Sequence, residues 1–272
     1  MSTEQDVLKK YLLENMIAFH DFCEEHKLQY FLLGGTLLGA VRHKGFIPWD
    51  DDLDVAMPRK DYEKLLKIKE KIPNDYELNY YPNSQEYIYP FAKFCSKKMI
   101  VEEPFYKPFI TGVWIDIFPL DFTFSSNVVK RIQFSIIKFF RNLLILKTGA
   151  FKTHKHSFLI NKLMIFLVFL LKPFPKSYIF KALNLFQLWL PNKFSKKQDV
   201  ANFHGAWGLK EVAPASIFQQ VQLYEFEGKF FYSIKDASYW LTKVYGDFMQ
   251  YPPEHKRVSE HIGRVLEHNE KI

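Results

Sequence analysis

Apolar positions recur with helical spacing from residue 4 to residue 27: Val7, Leu8, Tyr11, Leu12, Asn15, Met16, Phe19, Phe22 and Cys23 fall on one face. This spacing predicts an amphipathic helix. Gln29 to Leu33 follows as a short apolar run suited to a buried strand, closed by Gly34-Gly35. Thr36 is placed to cap a helix through Leu37, Leu38 and Val41, and Lys44-Gly45 with Ile47-Pro48 marks a turn. Leu53 to Met57 predicts a strand stopped by Pro58. Arg59 to Ile72 predicts a helix ended by Pro73. Further strands are expected at Tyr76 to Tyr81, Phe91 to Ser96 and Val113 to Phe118, the last stopped by Pro119.

Beyond Asp121 the pattern becomes long and helical, with apolar stretches broken by Pro173, Pro175 and Pro191. From Asp199 it is mixed again, with a strand expected at Phe226 to Ser233 and a helix at Lys235 to Tyr245. The sum is an α+β fold: a mixed sheet flanked by helices, with a basic, apolar helical insert. Residues 1–121 read as the catalytic core, 122–198 as the insert and 199–272 as the part completing the catalytic domain.

Charge sharpens that division. The 272 residues carry a net +7, yet Phe122 to Gln198 holds 14 Lys and Arg and no Asp or Glu. The rest has 23 basic against 30 acidic residues, a net −7. A nucleic-acid binder with a uniformly basic surface does not split this way, so no nucleic-acid partner is expected. Cys23 and Cys95 form neither a disulfide framework nor a metal-ligand spacing. No signal-peptide pattern is visible at the start, and no uncharged apolar run approaches the ~18 residues of a membrane span. The expected location is cytoplasmic and peripheral, at the inner face of the cell membrane. Leu163 to Leu171 and Ala182 to Asn192 are too short to span, but they suit interfacial helices with Lys side chains reaching anionic headgroups. The alternative is a helical subdomain packed on the body.

The densest chemistry is Pro48-Trp49-Asp50-Asp51-Asp52-Leu53-Asp54-Val55. In a strand, positions i and i+2 share a face. Asp52 and Asp54 would therefore present two carboxylates together while Leu53 and Val55 anchor the core. Asp116, between Ile115 and Ile117, repeats the setting of an acid flanked by apolar strand residues. If the two strands are neighbours, three carboxylates converge, and Mg2+ or Mn2+ would supply the missing charge. A calcium loop starting at Asp50 fails, because Val55 stands where glycine is required and Asp61 where glutamate is. Gly34-Gly35 begins neither a P-loop nor a dinucleotide fingerprint.

The block from Gly34 to Val55, GGTLLGAVRHKGFIPWDDDLDV, resembles the signature of the LicD family of phosphotransferases, whose relatives include fukutin-type transferases and whose fold is nucleotidyltransferase-like. A later block, Tyr245 to Met249 with Pro252-Pro253, Lys256-Arg257 and His261, is similar to that family's C-terminal signature. The resemblance implies transfer of a phospho-alcohol, most often phosphocholine from CDP-choline, onto a hydroxyl of a cell-surface glycan or teichoic acid precursor on a lipid carrier, releasing CMP. It implies Asp52, Asp54 and Asp116 as metal ligands and catalytic residues, with Asp50 beside them. Gly34, Gly35 and Thr36 would bind phosphate through the helix start.

Further residues are assigned from their setting. Arg42 is a candidate for the donor phosphates. Lys93, a polar residue inside a strand pattern, is either a phosphate contact or part of an exposed face. His261 reads as structural, and Tyr245 as ordering a helix end near the site. Trp49, Trp114 and Trp207 are candidates to cage a choline headgroup. Transfer from another CDP-alcohol such as CDP-ribitol, a nucleotidyltransferase, and a catalytically silent membrane scaffold are the other readings.

Overall fold

The computed structural model describes residues 4–84, 87–153, 157–258 and 261–268. Lys155 of the basic stretch lies outside them. The core is an eight-stranded mixed sheet with β1 (Phe31–Leu32), β2 (Asp54–Pro58), β5 (Phe109–Thr123), β4 (Ala92–Glu103) and β10 (Arg264–His268) in that spatial order. On its margins, β3 (Tyr76–Asn79) pairs with β4, and β6 (Asp199–Asn202) pairs with both β5 and β7 (Val212–Pro214). Among these pairs β2–β5 alone is parallel. A separate hairpin holds β8 (Val221–Phe226) and β9 (Lys229–Ile234).

The first helix, α1 (Glu4–His26), buries Leu8, Tyr11, Leu12, Met16, Phe19, Phe22 and Cys23 on the sheet. Asn15 falls on the same face, and its amide nitrogen donates to the Val113 carbonyl at 2.7 Å. Two shorter helices flank β2: α2 (Gly34–His43) and α3 (Arg59–Lys67), the latter followed by a 3-10 turn at Lys69–Lys71.

Several boundaries differ from the sequence reading. Thr36 does not cap α2. The helix starts at Gly34, and Thr36 is buried inside it with its hydroxyl accepting the Asp54 N–H at 2.7 Å. Pro119 does not end β5, because it falls between the last β4 pair, Ala92–Ile117, and the first β6 pair, Leu120–Asn202. No ladder bond is lost to a proline at such a gap. Phe226 to Ser233 is not one strand, since Glu227 and Gly228 both take positive φ and turn the chain between β8 and β9. The last helix, α8 (Ala237–Tyr245), begins two residues late because Asp236 caps it by accepting the Tyr239 N–H.

The acid-free stretch forms α4 (Asn127–Thr148), α5 (Phe158–Leu171), α6 (Lys176–Asn184), one π-helical turn at Leu185–Trp189 and α7 (Leu190–Phe194). Ile137 and Leu144 of α4 and Ile179, Phe180 and Leu183 of α6 share a second apolar cluster with Ala201, Phe203 and Val212. By contrast, α5 buries Val168 and little else: Phe158, Leu159 and Phe169 are each at least 70% exposed. Its C-terminal carbonyls, Leu171 and Lys172, are capped by the Lys147 ammonium. Among the described residues no single helix is long and apolar enough to cross a membrane. One bent pair, Phe158–Leu171 with Lys176–Phe194, meets the length and composition together across a 96° break.

Candidate active site

Parallel pairing sets the geometry. Asp54, the first residue of β2, is the register partner of Asp116 on β5, and the Asp116 N–H donates to the Leu53 carbonyl at 2.9 Å. Leu53 is buried and fixes the approach, so Asp52, two residues before Asp54, arrives on the same side. One oxygen from each of Asp52, Asp54 and Asp116 lies within 4.8 Å of the others. Asp50, Asp51, Asp52 and His261 form a second group on the same criterion. Burial, and then the charges of Asp52, Asp116 and Asp50, push the Asp54 carboxyl well above the ordinary carboxylate range. Burial does the same to Asp52, with His261 opposing and Asp50 and Asp116 reinforcing. A half-buried, oxygen-only set of mutually repelling carboxylates fits a hard divalent cation of the magnesium or manganese class.

The glycine pair makes this packing feasible. Gly34 takes φ +55°, and a Cβ there would sit 2.5 Å from Asp54 Oδ2. A Cβ at Gly35 would sit 2.5 Å from Asp50 Oδ2. The start of α2 is thus pressed against two carboxylates, and Leu33 N–H to Asp54 carbonyl (3.1 Å) and Asp54 N–H to Thr36 hydroxyl lock it there. Gly34 and Gly35 line a cavity of about 340 Å3 together with Asp52, Asp54, Asp116 and His261.

Three other expected residues lie elsewhere. Lys93 is neither on an exposed face nor on the cavity wall. It is 1% exposed, in register with Asp116 on the strand next to it, and its ammonium stands 3.0 Å from the Asp116 carboxylate and 3.7 Å from Glu103. Burial lowers the Lys93 pKa, but Asp116 and Glu103 more than compensate and carry it above the ordinary lysine value. Arg42 donates to the Phe248 and Gln250 carbonyls and stacks on Tyr251. It stands at the opposite end of α2 from Gly34, about 12 Å of helix away. Trp49 joins Tyr251 and Arg257 beside a different cavity, on the far side of the acidic loop.

The structure adds residues that the sequence reading left out, Asp51 first, and brings to the cavity of Gly34 and Gly35 His261, Trp207 and Tyr245, which that reading had named. Asp51 is buried and accepts the N–H groups of His261 and Ile262, tying the C-terminal segment to the acidic loop. His261, read as structural, has its Nδ1 2.9 Å from Asp51 and 3.2 Å from Asp52 and also lines the cavity. The opposite wall comes from Arg141, Asn202, His204, Trp207, Glu211 and Tyr245. Glu211 accepts from Asn202 at 2.7 Å and from the Trp207 N–H at 2.8 Å, and burial raises its carboxyl to about 7. Arg141 donates to the His204 carbonyl at 3.0 Å. His204 contacts Gln187 of the π-helical turn at 3.0 Å, and burial lowers its pKa to about 3, so it stays neutral. Gln187 donates in turn to Asp121, which Arg59 grips through both oxygens. Trp207 and Tyr245 were named from the sequence; Arg141, Asn202, His204 and Glu211 were not, because they form no recognisable ligand or phosphate spacing, although three of them lie within residues 202–211.

Comparison with known proteins gives the class. The profile described as LicD/FKTN/FKRP, nucleotidyltransferase domain, matches residues 27–135, which contain both glycines and all of the convergent carboxylates. The chain is 32% identical over 255 residues to the lipopolysaccharide cholinephosphotransferase LicD of Haemophilus influenzae, covering 90% of this chain and 91% of that one. It is also 30% identical over 130 residues to an uncharacterised protein of Rickettsia prowazekii, covering 47% of this chain and 48% of that one. The protein is a phosphotransferase. It belongs to the LicD family.

Proposed function

We propose that this enzyme transfers phosphocholine from CDP-choline to a hydroxyl of a surface glycan, lipopolysaccharide being the acceptor class named for its relative, and that CMP leaves. The observation that carries this reading is the convergence of Asp52, Asp54 and Asp116 beside the Gly34-Gly35 helix start. A divalent cation held by these three, with Asp50 adjacent, would neutralise the donor's pyrophosphate. The N-terminal amides of α2 offer a further phosphate contact. Phosphoryl transfer needs positioning and charge stabilisation more than covalent help. The acceptor hydroxyl oxygen bonds to the choline-side phosphorus as the bond from that phosphorus to the CMP oxygen breaks, and the hydroxyl proton passes to solvent water in the open cavity. Asp116, tied to the Lys93 ammonium, serves better as a ligand than as a base for the hydroxyl proton.

The experiment is incubation with CDP-choline, CDP-ethanolamine or CDP-ribitol and a lipopolysaccharide acceptor, measuring CMP and product mass. CMP together with a phosphocholine-sized increment is expected. An increment that retains the nucleotide would instead identify a nucleotidyltransferase. The same panel with a teichoic acid precursor distinguishes the acceptors.

The uncovered face of α5, amid a stretch with no acidic residue, supports seating on an anionic membrane at the cytoplasmic side, where a lipid-linked acceptor is made. In this reading residues 1–121 and 199–272 form the catalytic body, and 122–198 is an insert that faces the membrane while lending Arg141 to the site.

A further inference from the structure

The catalytic cavity joins two kinds of chemistry. Around Gly34 and Gly35 it is carboxylate. Across from them it is aromatic, with Trp207, Tyr245, Trp240 and Phe118 on the lining and the single carboxylate Glu211 among them. Tyr245 links the two, since its phenol feels the charges of both Asp54 and Glu211. The Trp207 and Tyr245 rings meet edge-on, with centroids 5.1 Å apart and planes at 74°. Trp207 is nevertheless 45% exposed, so much of the ring remains open.

From this we infer that Trp207 and Tyr245, backed by Glu211, form the subsite for a quaternary ammonium headgroup, placing choline beside the phosphate that the carboxylate end holds. The inference rests on the transfer reaction proposed above and names the residues that select its alcohol. A trimethylammonium has no N–H to donate and no hydroxyl to match. It is bound through ring faces and a nearby negative charge. A polyol such as ribitol needs hydrogen-bonding partners, which these rings supply poorly.

Lys210 shows that the indole accepts a cation in this fold. Its ammonium lies 5.3 Å from the Trp207 centroid while donating to the Val244 carbonyl. Lys210 and Arg141 are the positive groups facing the subsite, and Glu211 is its acidic one, carrying its charge once the pH passes about 7. Of the three tryptophans expected as cage candidates, Trp114 is buried behind Lys93 and Trp49 faces another cavity, so Trp207 remains.

The test compares CDP-choline with its neutral isostere, CDP-3,3-dimethylbutanol, in which carbon replaces the charged nitrogen. Wild type is expected to favour CDP-choline by roughly tenfold in kcat/KM. Trp207→Leu and Tyr245→Leu should bring that ratio near unity, while Trp207→Phe keeps part of it. CMP affinity should stay within about twofold throughout. An unchanged ratio in Trp207→Leu would overturn the subsite, as would a parallel loss of CMP affinity, which would mean that the ring stacks on the base. Phosphocholine binding followed by tryptophan fluorescence needs no turnover. A quench present in wild type and absent in Trp207→Phe supports the subsite, and no difference removes it. Failure of every donor to release CMP would refute the transfer reaction while this binding arm still judges the cage.

Discussion

Lys93 and Asp116 are register partners on adjacent antiparallel strands, and Asp116 is in turn the register partner of Asp54 across the parallel ladder. Three neighbouring strands thus carry a row of plus, minus, minus. The lysine partly offsets a repulsion that the two acids would otherwise bear alone. Lys93→Met should leave Asp116 and Glu103 buried without their cation. Loss of about 3 kcal/mol of stability is expected, because breaking a buried pair strands its partner. Urea unfolding measures it, and a loss below about 1 kcal/mol would show that the pair is not coupled to the fold.

Removing one carboxylate from the cluster should separate stability from chemistry. Asp54→Asn relieves repulsion, so the cation-free protein should melt at the same temperature or higher. Transfer should fall by at least a hundredfold, roughly the effect of deleting a key electrostatic group. Added Mn2+ should raise the melting temperature of wild type and not of the variant. Differential scanning calorimetry with and without the metal reads both.

A methyl group at either glycine should be poorly tolerated. Gly34→Ala must adopt φ +55° and push Asp54 Oδ2 aside, and Gly35→Ala must displace Asp50. The left-handed conformation alone costs about 1–2 kcal/mol at Gly34. Both variants should lose more than tenfold in turnover, with Gly34→Ala also less stable than Gly35→Ala. Equal melting temperatures would contradict the backbone argument.

Glu211 sets a pH dependence. Its carboxyl titrates near 7 in the fold, against an ordinary value of 4.5, because it is buried. Between these values the folded protein holds a proton that the unfolded chain has released. Stability attributable to this group therefore falls as pH rises from 4.5 through 7, by about 3 kcal/mol in all. Glu211→Gln should remove that slope. Denaturation midpoints at pH 5 and pH 7.5 for the two proteins test this.

The α5 face predicts retention on lipid. Wild type should pellet with vesicles rich in anionic lipid at low salt and release as screening shortens the Debye length. Leu159→Glu with Phe169→Glu should stay in the supernatant with donor turnover unchanged, since α5 does not line the catalytic cavity. Wild type remaining in solution would remove the membrane-surface reading.

Asp54 and Asp116 were legible as strand acids because each stands between two apolar residues, and Asp52 because it lies two positions before Asp54; that the two strands pair was not in the local pattern. Lys93 was not legible in the same way. A lone cation in a strand looks solvent-facing until the acid on the neighbouring strand is known, and cross-strand register is set by pairing over long separations. Thr36 was misplaced because a glycine with positive φ lets α2 begin three residues earlier than a hydroxyl cap would suggest. Trp207 could be proposed from the choline headgroup that the resemblance implies, but choosing it over Trp49 required knowing that the two tryptophans line different cavities.

The parallel ladder between β2 and β5 also bears on biosynthesis. A ribosome-bound chain that has extruded the acidic loop but not yet β5 carries an incomplete cradle. Any affinity for a divalent cation should therefore arise only once those two strands zip together, so that metal binding would report completion of the central sheet.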